Sequence, residues 1–210
     1  MRPEFFATVL RKVHAVINPR KIKHLIVQHQ DPDLCAALPF YEKIVSHDVR
    51  ISCPLEAKVL MQHYGTVTPV TPLDDGDTIT FGNGRTLVFA MIPYCHFIGN
   101  MVTYDVKTKT VFSSDAFGGF TGANNLYADK DYPVQLTAFL GQYLGSKRAL
   151  EYALKRLEKL NKTHGIDLIC PQHGCVIKKE QIPVYIEAAH ALTVGGEVEA
   201  LAAKHGITLD

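Results

Sequence analysis

The chain has 210 residues and a mass of 23.3 kDa, with 47% hydrophobic and 20% charged residues and a mean hydropathy of +0.02. That length and composition describe a single globular domain over residues 1–210 and exclude a disordered or fibrous chain. Lys plus Arg (22) nearly cancel Asp plus Glu (21), so no long-range field draws the chain onto nucleic acid.

The longest apolar runs, such as Thr86–Ile92, fall far short of the roughly 20 residues that span a bilayer. Met1–Ala15 mixes charged with apolar residues instead of presenting the apolar block of a signal peptide, so a cytoplasmic location without a membrane partner is expected. The cysteines (Cys35, Cys53, Cys95, Cys170, Cys175) are odd in number and sparse, the usage of reduced thiols.

Taken in chain order, Glu4–Ile17 places Phe5, Phe6, Val9, Leu10, Val13 and Val16 at helical spacing, and Asn18-Pro19 ends that helix. His24–Gln28 is a short β-branched run that stops at the polar string His29-Gln30-Asp31-Pro32-Asp33, as a buried strand feeding a loop would. Leu38–Ser46 reads as a helix, Asp48–Ser52 as a strand and Pro54–Tyr64 as a helix, so the chain opens by alternating α and β. Thr78–Phe81 and Arg85–Met91 flank Gly82-Asn83-Gly84 and predict a hairpin. Met101–Asp105 and Thr110–Ser114, joined by a polar turn, extend that antiparallel layer. Residues 118–131, rich in Gly, Asn and Asp, predict a long ordered loop. Helices over Tyr132–Leu144 and Lys147–Leu160 follow, the second capped by Ser146. Strand Ile166–Cys170 enters the loop Pro171-Gln172-His173-Gly174, and helical pieces around Ile182–Leu192 and Glu197–Lys204 close the chain.

Four loops, each directly after a predicted strand, carry His29-Gln30-Asp31-Pro32-Asp33, Tyr94-Cys95-His96, Ser114-Asp115 and Gln172-His173-Gly174. Strand ends can therefore bring together His29, His96 and His173 with Asp31, Asp33 and Asp115. Nitrogen and oxygen donors in such numbers suit a two-metal site, where a bridging carboxylate and terminal ligands offset the repulsion of two dications. A single histidine after a strand is ordinarily just a hydrogen-bonded residue. It is the joint pattern that points to metal.

These strings resemble the motifs of the metallo-β-lactamase superfamily and, within it, the flavodiiron proteins. Gln28–Asp33 with the later Leu38-Pro39 is similar to that family's first motif, His-x-Glu-x-Asp-His followed by Leu-Pro. Ile92–His96, Val111–Gly118 and Ile169–Gly174 resemble its three later motifs in order, and Phe-Ser-Ser-Asp-Ala-Phe-Gly is a specific string. The resemblance covers roughly residues 5–190. It implies an α/β metallo-β-lactamase-like αβ/βα four-layer sandwich lacking the usual N-terminal strands, either because part of a sheet is lost or because the reading frame is incomplete. It also implies that His29, Asp31, His96 and Asp115 bind one iron, while Asp33, His173 and the bridging Asp115 bind the other. The superfamily's zinc hydrolases have histidine where Asp31 stands; a carboxylate there makes a harder, more anionic site that suits iron or manganese. Two departures touch the ligands. Asp31 is shorter than the family's Glu, and Leu34 replaces its next histidine, leaving the second metal three evident protein ligands and an apolar neighbour.

Flavodiiron proteins carry a flavodoxin domain after the metal domain, whereas only Ala191–Asp210 follows here, so no FMN is expected in this chain. Similarity to flavin-free relatives implies a non-haem diiron protein that binds or senses O2 through diferric-peroxo chemistry, with a signalling or electron-donor protein as partner. An O2 or NO reductase fed by a separate donor and a binuclear zinc hydrolase are the alternatives. Relatives with a flavin domain pair head to tail, and a homodimer stays open. Cys35, Cys95, Cys170 and Cys175 lie near the candidate ligands, where packing is the ordinary role of a free thiol. Tyr94 and Tyr127 as hydrogen-bond donors to O2, and Asp167 as an acceptor for a ligand histidine, stand beside space-filling and strand-edge readings. The basic run Lys147–Lys162 reads as a solvated helix face.

Overall fold

The computed structural model describes residues 3–121 and 125–209. A 3-10 turn (Pro3–Phe5) runs into helix α1 (Phe6–Val16), and strand β1 (His24–Ile26) follows. Helices α2 (Pro32–Cys35) and α3 (Leu38–Glu42) lead to β2 (Arg50–Pro54), and α4 (Leu55–Met61) leads to β3 (Val70–Leu73). The three strands form a parallel sheet in the order β1-β2-β3, each reached by the helical crossover that parallel neighbours need. The helix expected over Leu38–Ser46 stops at Glu42, and an extra turn, α2, precedes it. Pro32 and Pro39 each start one of these short helices, at the position where a missing N–H costs nothing. No strand is expected over Val70–Leu73, because its Thr and Pro residues give no alternating pattern. It forms as an edge strand, where Pro72 is tolerated.

The second sheet has six strands in chain order: β4 (Thr78–Thr80), β5 (Thr86–Met91), β6 (Met101–Asp105), β7 (Thr110–Phe112), β8 (Leu168–Cys170) and β9 (Ile177–Lys178). β4 to β7 form an antiparallel meander. β8 lies parallel to β7 because the chain crosses over through α5 (Tyr132–Tyr143) and α6 (Lys147–His164). Helix α6 runs past the expected Leu160 to His164, where Gly165 turns the chain at φ +77°. Two-residue β9 is too short to leave a signal in the sequence. Helices α7 (Ile182–Ala191) and α8 (Gly196–His205) complete the described chain.

Alternation along the strands builds the layers. Leu87 and Phe89 of β5 and Met101 of β6 point toward the first sheet and pack with Leu73 and Ile26, forming the seam between the sheets. Their neighbours Val102 and Tyr104 face the other way, onto Leu136, Leu140, Leu150, Leu154, Leu157 and Ile186 of α5, α6 and α7. Ile51 and Cys53 of β2, with Val27, pack on Ala57 and Met61 of α4. The order is helix, sheet, sheet, helix, as the αβ/βα reading requires. β5, β7 and β8 run in one direction, so their C-terminal ends and the loops after them share one rim of the sandwich, where the loop after β1 joins them. Among the described residues no helix is long and apolar enough to cross a membrane.

Candidate metal centre

His29 leaves the end of β1 fully buried, its Nδ1 2.6 Å from Ser114 Oγ. That contact fixes the ring so that Nε2 faces Asp115 Oδ2 at 3.3 Å and Asp31 Oδ2 at 3.5 Å. His96, on the loop after β5, points Nε2 to the same two oxygens, at 2.9 Å from Asp115 and 3.4 Å from Asp31. One ligand atom from each of His29, Asp31, His96 and Asp115 lies within 4.8 Å of every other. On the opposite side His173 Nε2 sits 2.8 Å from Asp33 Oδ2 and 3.7 Å from the second oxygen of Asp115, Oδ1. All six residues singled out from the sequence thus meet at one rim, with Asp115 between two donor groups and one oxygen toward each.

The loops are held in uncommon conformations that aim these groups. Ser114 and Phe117 have φ of +57° and +67° on either side of Asp115, and Gly174 has φ +92° after His173. A non-glycine residue in the left-handed region costs about 1–2 kcal/mol, so such turns persist only where the surroundings over-determine them. Here Gln172 N–H donates to Ser114 O (2.9 Å), Gly118 N–H to Asp115 O (3.0 Å) and Met101 N–H to Gln28 O (3.0 Å). Tyr64 Oη donates to Gln30 O (2.7 Å), and Asn100 Nδ2 donates to Cys95 O in the loop of His96, whose Cys95–His96 peptide is cis.

Electrostatics follow from three carboxylates and three imidazoles in little space. Burial lowers the His29 pKa, yet hydrogen bonding to Asp115 and Asp31 outweighs it and pushes the value up to about 9. Burial acts to raise Asp115, and the facing His29 and His96 override it and hold its carboxyl well below the usual range. Pairing with His173 likewise lowers Asp33, and the same pair raises His173. In this state protons on His29 and His173 offset carboxylate charge. One atom is left out of that exchange: Asp115 Oδ1 is buried without a hydrogen bond. An orphaned buried carboxylate oxygen, set between two groups of hard oxygen and imidazole donors, fits bound cations.

A cavity of about 430 Å³ opens over the two groups, lined by Asp31, Asp33, His96, Asp115 and His173. Its far wall is aromatic. Tyr143 lies 5.5 Å from the His96 ring, Phe139 5.6 Å from the His173 ring, and Phe120 5.1 Å from Phe139. The tyrosine on this wall is Tyr143; Tyr94 and Tyr127, the ones considered from the sequence, do not line the cavity. Phe120, Phe139, Tyr143 and Tyr64 carry no signal in the sequence, since their relation to the site exists only across the fold; Ser114 lies in a singled-out motif, but its hold on His29 does not show there. Leu34 packs on the Val27–Ile51 cluster and does not line the cavity, so the expected apolar neighbour of the second group does not come from this position. Burial pushes the Cys35 and Cys95 thiols up to about 12, which suits packing and not thiolate ligation. Asp167 pairs with Lys179 (3.1 Å), the strand-edge role.

A family model described as ODP family beta lactamase matches residues 2–174. The chain belongs to the ODP beta-lactamase family. The metallo-β-lactamase fold of this ODP-family domain agrees with solved structures. It superposes on the apo state of the chemotaxis sensor ODP from T. denticola with a TM-score of 0.82 at 22% identity, covering 94% of this chain and 81% of that one. A structure described as a peroxy diiron species of the chemotaxis sensor ODP matches with a TM-score of 0.81, at 22% identity over 93% of this chain and 82% of that one. Among curated relatives, rubredoxin-oxygen oxidoreductase of Megalodesulfovibrio gigas is 25% identical over 85% of this chain and 45% of its own length. The chain therefore spans under half the length of that relative.

Proposed function

We propose that the ODP-family domain would hold two irons and bind O2 at them, as an oxygen-binding or sensing protein. The observation that carries this reading is the placement of Asp115, with Oδ2 toward His29, His96 and Asp31 and Oδ1 toward His173 and its partner Asp33. Each role belongs to the chain's own residues. Asp115 would bridge, Ser114 would hold His29 with Nε2 inward, and Asp31 would supply the oxygen donor that sets this site apart from a zinc hydrolase. Iron held by these residues would supply the reducing electrons needed to bind O2. Phe120, Phe139 and Tyr143 give the cavity over these donors one aromatic wall, beside which a small diatomic molecule could sit.

The relative from Megalodesulfovibrio gigas supports a second reading, in which a separate donor protein returns electrons and O2 is consumed. Anaerobic purification, metal analysis and an absorption spectrum before and after air test the first. We expect about two irons per chain and a new visible band on aeration that outlasts the mixing. Two zincs per chain, or an unchanged spectrum, would sink the oxygen reading. Steady O2 uptake with reductant and a donor protein would move the reductase reading to first place.

A further inference from the structure

We infer that Gln172 supplies a fourth protein donor to the second metal through its side-chain oxygen, an inference that rests on the two-metal reading above. Gln172 Nε2 lies 2.9 Å from Asp33 Oδ2 and 3.3 Å from His173 Nε2, and those two atoms are 2.8 Å apart. The three atoms form a triangle. Donors held about 2.1 Å from an octahedral ion, cis to one another, are separated by roughly 3.0 Å, which is √2 times the bond length. The end of the Gln172 amide therefore occupies the third corner of a metal-ligand face whose other corners are the two candidate ligands of the second metal.

The other end of the amide completes the argument. Gln172 Oε1 is buried and has no hydrogen-bond partner, an uncommon state for a carbonyl oxygen. A half-turn of the amide exchanges oxygen and nitrogen with little change of shape. Without a cation the NH2 group must face the Asp33 carboxylate, because an oxygen there would meet like charge at 2.9 Å. A cation beside Asp33 and His173 reverses that preference and brings Oε1 to the corner, where the ion would give it a partner. The residue is well anchored for this role: Gln172 N–H donates to Ser114 O at 2.9 Å, tying it to the loop that carries Asp115. With Leu34 packed elsewhere, Gln172 restores the donor count of the second group. Asp33, His173, Asp115 and Gln172 then match the four donors His29, Asp31, His96 and Asp115. Being neutral, the amide adds a donor without adding charge.

Anaerobic titration of the metal-free protein with Co(II), followed by visible absorption and by chelator competition, tests the inference without reference to activity. The wild type, Gln172→Leu and Gln172→Glu are compared, with far-UV circular dichroism to check that each variant is folded. We expect the wild type to take up two equivalents. Gln172→Leu should bind the first as the wild type does and the second at least tenfold more weakly, while Gln172→Glu, which keeps an oxygen donor, restores the second. A second equivalent of unchanged affinity in Gln172→Leu would overturn the inference and leave the two-metal reading standing. Equal weakening of both equivalents would mean that Gln172 acts on the fold, which also overturns it. Uptake of only one equivalent by the wild type would refute the two-metal reading itself, and the inference with it.

Discussion

Replacing Gly174 with alanine strikes the site through a single methyl group. Gly174 has φ +92°, and a Cβ built there would lie 2.2 Å from Tyr132 Oη, 2.9 Å from Gly119 N and 3.1 Å from Gly119 O. The backbone conformation alone costs about 1–2 kcal/mol for a residue with a side chain. Tyr132 is fully buried, and its hydroxyl both donates to Phe117 O (3.0 Å) and accepts from Cys175 N–H (3.2 Å). Moving the ring by the ångström needed to admit the methyl breaks both bonds, at about 1 kcal/mol each. Gly174→Ala should therefore destabilise the metal-free protein by about 3–4 kcal/mol, or about 10 °C in Tm for a chain of this size. Tyr132→Phe alone should cost about 2 kcal/mol, by leaving the same two backbone groups unpaired. The double variant loses those hydrogen bonds only once, so the costs should fall short of additivity by about 2 kcal/mol. Urea unfolding of the four proteins measures this. A Gly174→Ala cost below about 1 kcal/mol, or strict additivity, would refute the account of Gly174 as a steric requirement set by Tyr132.

Further expectations concern protons and metal. Because the metal-free His29 pKa is raised from 6.5 to about 9, the imidazole is protonated at pH 7 and must release its proton to bind a cation. Calorimetric metal titrations at pH 7 in buffers of different ionisation enthalpy should show release of at least one proton, with affinity rising with pH up to about 9; release of none would contradict the site's electrostatics. By the same linkage, the raised pKa stabilises the metal-free fold fully below pH 6.5. That contribution is lost as pH rises through about 9, so urea midpoints of the metal-free protein should fall over that window. Ser114→Ala removes the partner of His29 Nδ1 and should weaken metal binding by about 10- to 100-fold with little loss of fold, as read by chelator competition. Asp115→Asn keeps the shape but removes the shared charge. It should reduce uptake below two metals per chain by elemental analysis, and full occupancy in that variant would rule out a bridging role.

Much of the fold was legible because burial leaves periodic traces. The apolar, β-branched runs Thr86–Met91 and Met101–Asp105 reflect strands buried on both faces, helical spacing over Lys147–Leu160 reflects one face meeting a core, and those elements stand where the sequence places them. β3 and β9 were not legible, since a Thr- and Pro-containing edge strand and a two-residue strand owe their form to a neighbour's free hydrogen-bonding edge. The helix drawn over Leu38–Ser46 failed for a related reason: a partly buried, proline-started segment packs in short turns that no single period describes.

At the site, local sequence determines the chemistry of the donors. Histidines and aspartates placed directly after strands can be read one loop at a time, because a strand end fixes where the next few residues go. What they do to one another is a matter of distance across the fold. That Asp115 divides its two oxygens between His29 and His173, that Ser114 orients a ring 85 residues away, and that Tyr143 and Phe139 roof the cavity follow from the packing of helix α5 against the second sheet and the meeting of four loops at one rim. The same holds for Gln172 and Leu34, neighbours of candidate ligands in sequence, which tertiary packing separates into one side chain at the second group and one in a hydrophobic cluster. Side-chain direction depends on backbone twist and on what fills the space beside it, and those are properties of the assembled layers.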